Sequence, residues 1–493
     1  MTKSFTWTAE ERGFLRLVSR AAFCNPFSAE RERLDRELAG PGPARELAID
    51  RAIRVVRERL AAWDARGATL AGARTVADRE IFRSALLFDL FHQYLERFDA
   101  LILAQVAAGD EPVRVPFAAE ALADLRRRGF SRSEAAWALA LFYQMRRAYY
   151  FIRGALVGQS AAMRQLRIRL WNNLFTYDTR LYVDRLWNRM EDFATLLLGA
   201  TGTGKGAAAG AIGRSAYIPF DEPRGSFQES FSRTFVAINL SQFPAPLIES
   251  ELFGHKKGAF TGALAPHQGL FARCSPHGAV FLDEIGELTI PVQIKLLQVL
   301  QERVFSPVGS HEKLRFSGRV IAATNQPMDD LRRAGRFRDD FYYRLCSDVI
   351  EIPTLQQRLA EDPGELDRLI AHLVRRLAGP DAAELTDIVR SALARQPGPH
   401  YPWPGNVREL EQAIRRILLT QAYHGDTRHT TGEAVARLAA DVTAGALTAD
   451  ELLARYCRHL YQRNNNYEAV ARQTGLDRRT VKRYVTAPEP NPS

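Results

Sequence analysis

Apolar residues recur at helical spacing through the first 150 residues. Ile49, Ile53, Val56, Leu60 and Trp63 follow one another at steps of four and three, with arginines between them. This stripe is typical of an amphipathic helix with one buried face. Further helical regions are predicted at about 78–106 and 132–154. We therefore expect an all-α domain over residues 1–150, which acts either as a sensor or in oligomerisation.

The pattern changes after about residue 155. Four short apolar runs alternate with helical stretches and end at turn residues: FATLLLG, TFVAINL, GAVFLDE and GRVIAATN. Such runs are typical of buried strands in a parallel α/β sheet. The sequence predicts an α/β domain over 155–355, helices over 356–425, a linker over 426–447 and a short basic helical domain over 448–487. We expect the last six residues, 488–493, to be frayed.

The composition is that of a folded, multidomain protein. At roughly 150 residues per domain, the 493 residues suggest about three domains. The net charge of +10 is compatible with a polyanionic partner. The four cysteines form no CxxC pair, which argues against a disulfide framework or a zinc site. No signal peptide or membrane span is predicted, so we expect a cytoplasmic protein.

A glycine-rich loop follows the apolar run at 196–198 and precedes an alanine-rich helix. Its residues are Gly199, Ala200, Thr201, Gly202, Thr203, Gly204 and Lys205. In this context backbone N–H groups and the helix N-terminus bind phosphates, and the lysine contacts their outer oxygens. Most such loops carry Ser or Thr on Mg²⁺ directly after the lysine. Here that position is Gly206, so another group and water must hold the metal.

Two later strand ends carry the groups that nucleotide hydrolysis needs. Asp283 and Glu284 close one apolar run, where Asp283 would hold Mg²⁺ and Glu284 would polarise the attacking water. Asn325 ends the next run, which places an amide near the outer phosphate. Arg338 and Arg344 are candidates to neutralise the charge that develops on the phosphate. The sequence therefore predicts an ATPase.

The stretch ESELFGHKKGAFTGA, residues 249–263, resembles the AAA+ domain of sigma-54-dependent transcriptional activators, the bacterial enhancer-binding proteins. Its GAFTGA hexapeptide consists of Gly258, Ala259, Phe260, Thr261, Gly262 and Ala263. The runs PHGAVFLDEIGEL, GRFRDDFYYRL and YPWPGNVRELEQAI agree with this family. The resemblance covers about 157–423 and the C-terminal tail, and leaves the first 150 residues unmatched.

The resemblance implies an α/β AAA+ P-loop core with a helical lid, assembled as a homo-oligomer from dimer to hexamer with ATP and Mg²⁺ between subunits. It implies that the GAFTGA loop contacts the sigma-54 factor of RNA polymerase and moves on hydrolysis. By the same resemblance Asn239 pairs with Glu284, and Arg338 and Arg344 act on the neighbouring subunit's nucleotide. Arg408 is implied to sense nucleotide from the lid.

The sequence departs from the family pattern at several positions. Family loops usually read GESGTGKE, whereas this loop reads GATGTGKG and lacks the carboxylates at Ala200 and Gly206. This puts the metal geometry and the turnover rate in question, but not nucleotide binding. Two insertions stand out, at 176–191 and 217–232. The usual PPLRER segment reads PTLQQR, which keeps only Arg358 of its two arginines.

The C-terminal tail predicts three helices with a tight turn at Gly475 and an N-cap at Asp477. The spacing is that of a helix-turn-helix, and the tail resembles the Fis-type domain of the same family. The candidate DNA-binding residues on the last helix are Arg478, Arg479, Thr480, Lys482 and Arg483. Upstream double-stranded DNA is therefore an expected partner.

Three hypotheses remain open at this point. The first is an ATP-hydrolysing, DNA-binding activator of sigma-54 RNA polymerase. The second is a DNA-binding regulator in which Gly206 has weakened or abolished hydrolysis. The third is an AAA+ remodeller of another protein, against which the GAFTGA motif and the basic tail argue.

Overall fold

The computed structural model describes residues 5–43, 46–398, 401–425, 438, 441–464 and 466–486. These residues divide into two compact units. The first extends to His372 and includes 405–408, and the second contains 373–404 and the residues from Glu409 onward. Most of the predicted linker at 426–447, apart from 438 and 441–447, lies outside the described residues, as do residues 488–493.

The N-terminal region is helical, as predicted. Its seven helices are α1 Ala9–Phe23, α2 Ala29–Ala39, α3 Ala48–Ala65, α4 Val76–Gln93, α5 Leu95–Ala108, α6 Ala118–Arg127 and α7 Arg132–Ala155. Capping boxes start α1 at Thr8 with Glu11 and α7 at Ser131 with Glu134. The buried residues of the predicted α3 stripe include Val56, Leu60 and Trp63.

Five parallel strands form the central sheet, which confirms the α/β prediction. They are β1 Thr195–Leu198, β2 Phe235–Asn239, β3 Ala279–Asp283, β4 Arg319–Thr324 and β5 Asp348–Glu351. Their order across the sheet is β2-β3-β4-β1-β5. Every residue of β4 is buried, as expected for a central strand covered on both faces. The edge strand β5, of sequence DVIE, was not among the predicted runs.

Ten further helices follow along the chain among the described residues between 161 and 420. They are α8 Ala161–Phe175, α9 Lys205–Gly213, α10 Ala245–Phe253, α11 Ile290–Glu302, α12 Met328–Arg333, α13 Asp339–Leu345, α14 Leu355–Glu361, α15 Glu365–Ala378, α16 Ala383–Arg395 and α17 Asn406–Thr420. Single turns lie at Thr179–Leu181, Tyr182–Leu186, Met190–Asp192, Leu240–Gln242, Leu270–Arg273 and Ile285–Glu287. Short antiparallel pairs join Phe220–Asp221 to Ser226–Phe227 and Val304–Phe305 to Leu314–Arg315. No helix of the described residues is both long and apolar enough to cross a membrane.

The segment 217–232 packs into the N-terminal helical domain. Ile218, Phe220, Phe227 and Phe231 belong to the same buried cluster as the helices α1–α7. The buried guanidinium of Arg147 on α7 donates to the carbonyls of residues 214 and 216, both at 2.7 Å. The helical domain and the α/β domain therefore share a continuous core within the first unit.

The second unit ends in three helices, α18 Ala449–Asn464, α19 Tyr467–Thr474 and α20 Arg478–Thr486. Cys457, Leu460, Val470 and Val481 are their buried core. Gly475 ends α19 in the left-handed region at φ +72°, which a residue with a side chain rarely adopts.

Candidate nucleotide-binding and partner-binding sites

The glycine-rich loop connects β1 to α9 and is shaped by its glycines. Gly202 and Gly204 have φ values of +79° and +108°, which favours glycine. Lys205 is the first residue of α9, and its Nζ donates to the carbonyls of Gly199 at 2.8 Å and Ala200 at 3.3 Å. The loop thus encloses the N-terminus of a nine-residue helix, where free N–H groups and the helix dipole favour phosphate.

The two predicted carboxylates lie near this lysine. Asp283 ends β3 and accepts the backbone N–H of Glu284 at 3.1 Å. Glu284 adopts the left-handed region at φ +57°, an uncommon conformation that is frequent at functional sites. Burial lowers the pKa of Lys205, and the negative charges of Glu284 and Asp283 oppose that shift. The three groups therefore belong to one electrostatic site.

Asn239 ends β2 and Asn325 directly follows β4, the two strands on either side of β3, and their contacts differ. Asn325 Nδ2 donates to Thr201 Oγ1 at 2.8 Å, so it lies directly against the glycine-rich loop. Asn239 lies opposite Asp283 in the strand register. Its Oδ1 accepts from the backbone and the hydroxyl of Ser241. No hydrogen bond joins Asn239 to Glu284 among the described residues, so that pairing stays a prediction.

The segment that carries Arg408 contacts the same loop. Arg408 N donates to the Gly202 carbonyl at 3.3 Å. A Cβ on Gly202 would lie 2.2 Å from the carbonyl oxygen of Gly405, so only glycine fits there. Asn406 was not predicted as a site residue, yet its Nδ2 donates to the Thr201 carbonyl at 3.1 Å and its Oδ1 accepts the Leu355 N–H at 2.8 Å. The sequence signal that could have identified Asn406 as a site residue is its position after a glycine in the GNVREL motif.

The two candidate arginine fingers make other contacts within their own chain. Arg338 pairs with Asp340 at 2.7 Å. Arg344 donates through Nε and Nη2 to the Leu300 carbonyl in the last turn of α11. Neither is hydrogen-bonded to the glycine-rich loop among the described residues. The role predicted for these arginines, neutralisation of charge on the phosphate, would therefore be exerted on the nucleotide of a neighbouring subunit.

The donor set suits a magnesium ion that arrives with a nucleotide. No group of three His, Cys, Asp or Glu side chains among the described residues could hold a metal alone. Magnesium at nucleotide sites commonly uses one or two carboxylates together with phosphate oxygens and water. Asp283 and Glu284 beside Lys205 fit that pattern. A Cβ added to Gly206 would meet nothing within 4 Å, so space for a further ligand exists there.

The GAFTGA residues form a tight loop that is exposed at 258 and 260–262. Gly258 and Gly262 have φ values of +81° and +101°, and Gly258 N donates to the Ala263 carbonyl at 2.8 Å. Phe260 is 37% exposed and packs edge-on to His255 with ring centroids 4.9 Å apart. An apolar ring held at the tip of a turn is available to a partner surface.

A second loop supports the GAFTGA loop. His255 exchanges backbone hydrogen bonds with His267 at 3.0 Å, which closes the base of the loop. Lys256 N donates to the Val308 carbonyl at 3.1 Å, and its Nζ pairs with Glu312 at 2.9 Å. A shift of the segment 306–312 would therefore be transmitted directly to the GAFTGA loop.

On α20, four of the five candidate DNA-binding residues are exposed: Arg478, Arg479, Lys482 and Arg483. Thr480 is half-buried, and its hydroxyl donates to Asp477 Oδ2 at 2.5 Å. Asp477 also accepts the N–H groups of Arg479 and Thr480, which caps the helix. Thr480 therefore contributes to the helix start, and the four cations form the exposed basic face.

Comparisons with known proteins agree with the AAA+ resemblance. Residues 183–352 match the family model of the sigma-54 interaction domain, and residues 361–429 match that of the AAA+ ATPase lid domain. The sigma-54-dependent transcriptional activator SfnR of Pseudomonas putida is 40% identical over 46% of this chain and 57% of its own length. The hydrogenase transcriptional regulatory protein HoxA of Cupriavidus necator is 41% identical over 46% of this chain and 43% of its own length.

The matches leave much of both sequences uncovered. The chain spans about half the length of the curated relatives it matches. Among solved structures, NtrX from Brucella abortus is similar with a TM-score of 0.40 and 20% identity, over 74% of this chain and 78% of that one. The residues up to 182 lie outside both matched families.

Proposed function

We propose that this protein is an ATP-dependent transcriptional activator of sigma-54 RNA polymerase, because residues 183–352 match the sigma-54 interaction domain and residues 361–429 match the AAA+ ATPase lid domain. It binds upstream DNA and uses ATP hydrolysis to convert closed promoter complexes into open ones through the GAFTGA loop. The observation that carries this proposal is the exposed Phe260 on that loop, within the matched sigma-54 interaction domain.

The groups around the glycine-rich loop support ATP hydrolysis. Backbone N–H groups and Lys205 would bind the phosphates, and Asp283 would hold Mg²⁺, which would supply charge neutralisation at the phosphate oxygens. Glu284 orients and polarises the attacking water. Asn325 lies against Thr201 of the loop, and Arg408 approaches it from the lid segment. Arg338 and Arg344 complete the site of the neighbouring subunit, which requires a homo-oligomer of the dimer-to-hexamer type.

The order of domains along the chain supports the rest of the proposal. The helical domain at 1–150 acts as a sensor or oligomerisation region, and its shared core with the segment 217–232 connects it to the ATPase core. The exposed cations of α20 would bind DNA phosphates and base edges as the second helix of a helix-turn-helix. The protein acts in the cytoplasm, where its polymerase partner is found.

The test is transcription in vitro from a sigma-54 promoter with ATP and the full chain. We expect Thr261→Ala to lose open complexes while it retains ATP turnover, because Thr261 is exposed on the GAFTGA loop and belongs to neither the glycine-rich loop nor the strand ends that carry Asp283 and Asn325. Thr6→Ala, an exposed threonine in the N-terminal region, is the matched control and should retain both activities. An intact protein that hydrolyses ATP but opens no sigma-54 promoter would contradict the proposal.

The alternative of a DNA-binding regulator with weak or absent hydrolysis rests on Gly206. Glu284→Gln is expected to lower Mg²⁺-dependent turnover by roughly 10²- to 10⁴-fold, the usual contribution of a general base. Glu287→Gln, one turn further on, is the control, because its carboxylate accepts from Gln326 rather than facing Lys205. Equal and negligible rates in the unmodified protein and Glu284→Gln would favour the non-hydrolysing regulator. ATP turnover without any sigma-54 dependence would favour a remodeller of another protein.

A further inference from the structure

A cavity of about 400 Å³ lies at the amino ends of β3 and β4. The glycine-rich loop follows the carboxyl end of β1, so the cavity is at the opposite edge of the parallel sheet and separate from the nucleotide site. Its walls come from α7 through Gln144, from the segment 182–191 and from the segment 216–219. The last two segments largely coincide with the stretches 176–191 and 217–232, which the sequence predicts to be insertions. Its volume lies in the usual range of small-molecule pockets, about 300–1,000 Å³.

Aromatic and aliphatic side chains supply most of the lining. Trp187 and Tyr217 meet edge to face with ring centroids 4.8 Å apart. Met190 and Ile212 add apolar surface. Such a wall favours a ligand with an apolar body, because burying that body removes apolar surface from water.

Arg319 is the one strong cation in this lining, and it is only 8% exposed. Its Nε donates to the Phe193 carbonyl at 2.8 Å, and its Nη2 donates to Asn173 and Thr195. All of these partners are neutral, and no ion pair of Arg319 is found among the described residues. Burial lowers the pKa of Arg319 to about 10, and the negative charge of Asp348 opposes only part of that shift. Buried charges in proteins are normally paired.

The nearby carboxylates are already engaged elsewhere. Asp348 accepts from Asn173 Nδ2 at 2.7 Å and lies 4.0 Å from Arg169. Glu191 is the only acidic residue of the lining, and its charge acts on Arg303, whose guanidinium also donates to the Glu191 carbonyl. A negative group that enters the cavity would therefore find Arg319 as its natural partner.

Two further polar groups face the same space. Burial raises the pKa of Tyr217 and lowers that of His277, so both are neutral near pH 7. Glu229 lies close enough to His277 to oppose part of that shift. Neither the Tyr217 hydroxyl nor the His277 ring has a hydrogen-bond partner among the described residues. Both remain available to a ligand.

We propose that this cavity binds a small organic carboxylate with an apolar body about the size of one aromatic ring, paired to Arg319. The carboxylate supplies the counter-charge that Arg319 lacks, and the body packs against Trp187 and Tyr217. Because the walls come from both the helical domain and the ATPase core, the bound ligand stabilises their contact. The cavity is therefore an effector-binding site. Binding of the carboxylate can be measured without ATP, DNA or polymerase.

The experiment is isothermal titration of the full chain with benzoate, phenylacetate and hexanoate, each beside its uncharged amide. We expect saturable binding of at least one acid and affinity at least roughly tenfold weaker for its amide, which corresponds to about 1.4 kcal/mol. Arg319→Gln should weaken acid binding at least as much. Arg146→Gln, which removes a guanidinium from α7 where it pairs with Asp99, is the matched control and should bind normally.

Arg319 also anchors β4, so Arg319→Gln alone is not a sufficient test. Ala216→Phe places a ring in the cavity without touching that anchor, and it should abolish binding in a protein whose thermal unfolding resembles that of the unmodified chain. Three results would each overturn the proposal. The first is equal affinity for the acid and its amide, and the second is binding that survives Ala216→Phe. The third is no saturable binding of any acid up to about 10 mM, which means a binding free energy weaker than about −4 kcal/mol.

Discussion

The ring of Tyr143 on α7 stacks on the ring of Phe227, with centroids 4.1 Å apart and planes 14° from parallel. Phe227 lies in the segment 217–232, which follows the P-loop helix α9 in the chain. Arg126 and Arg132 of the helical domain also pair with Glu222 in this segment, at 2.7 and 2.9 Å. The helical domain is thus attached to the part of the α/β domain that directly follows helix α9. A change in the helical domain has a short physical path to the glycine-rich loop.

The stack predicts an energetic coupling between the two residues. In a double-mutant cycle of Tyr143→Leu and Phe227→Leu, we expect a coupling of about 0.5–1.5 kcal/mol in the free energy of unfolding, the usual worth of an aromatic pair. Urea unfolding measures it. The control cycle pairs Tyr143→Leu with Phe271→Leu, which belongs to a different buried cluster, and should be additive within about 0.5 kcal/mol. Additive behaviour of the stacked pair would contradict the coupling.

The glycines of the phosphate loop differ in what they tolerate. Gly206→Ser adds a side chain where nothing lies within 4 Å, and serine favours a helix more than glycine by about 0.5 kcal/mol. We expect the variant to fold normally and to raise Mg²⁺-dependent ATP turnover, because the hydroxyl restores the usual metal ligand. Gly202→Ser is the matched contrast, since its Cβ would lie 2.2 Å from the Gly405 carbonyl. It should lose nucleotide binding, as equilibrium dialysis would show. Equal nucleotide binding by Gly206→Ser and Gly202→Ser would contradict the close approach of Gly202 to the Gly405 carbonyl.

His92 in α4 predicts a stability loss on the acid side. Its Nδ1 lies 2.8 Å from the Phe88 carbonyl. Burial, together with the positive charges of Arg31, Arg57 and Arg146, lowers the pKa of His92 from 6.5 to about 3. Between these values the unfolded chain binds a proton that the folded chain does not bind. The contribution to stability is therefore complete above pH 6.5 and is lost progressively toward pH 3.

We expect His92→Leu to lose less stability than the unmodified protein when the pH is lowered from 7 to 5, as measured by the urea midpoint. His311→Leu is the control, because His311 is exposed and its removal should leave the pH dependence unchanged. The hypothesis fails if both variants follow the unmodified protein over this range.

Arg358 is the arginine that the PTLQQR segment retains from the family's PPLRER pattern. It forms a buried ion pair with Glu365. Arg358 Nη2 lies 2.7 Å from Glu365 Oε1, and the side chains are 4% and 0% exposed. Glu365→Ala leaves that guanidinium without its partner, so we expect a loss of about 3–5 kcal/mol in the free energy of unfolding. Glu58→Ala removes an exposed carboxylate from α3 and should cost less than about 1 kcal/mol. Similar losses in both variants would argue against a special role of the buried pair.

Local patterns were sufficient to predict the parts of the fold that depend on local chemistry. The glycine-rich loop, the strand that ends in Asp283 and the GAFTGA loop each have a periodicity or motif that forces their structure. The edge strand β5 was missed because DVIE is short and only partly apolar. The packing of 217–232 into the helical domain was missed because contacts between distant segments leave no periodic signal. Arg319 illustrates the same limit: its position at a strand start is evident, but its neutral partners are set by tertiary structure.

The exposed cations of α20 predict a salt-dependent affinity for DNA. The double variant Arg479→Ala and Lys482→Ala removes two positive charges from the exposed face. It retains the hydrogen bond from the Thr480 hydroxyl to Asp477, which caps the helix. If each cation contacts one phosphate, the slope of log affinity against log salt concentration should become shallower by about 0.9 per contact. Arg375→Ala with Arg395→Ala removes two exposed arginines from other helices of the same unit and should leave the slope unchanged. Fluorescence anisotropy with duplex DNA at several salt concentrations measures both. An unchanged slope in the α20 double variant would place DNA binding elsewhere or remove it from the proposed function. Unchanged helical content by circular dichroism would show that the core around Val470 and Val481 is intact and that a changed slope reflects the lost charges.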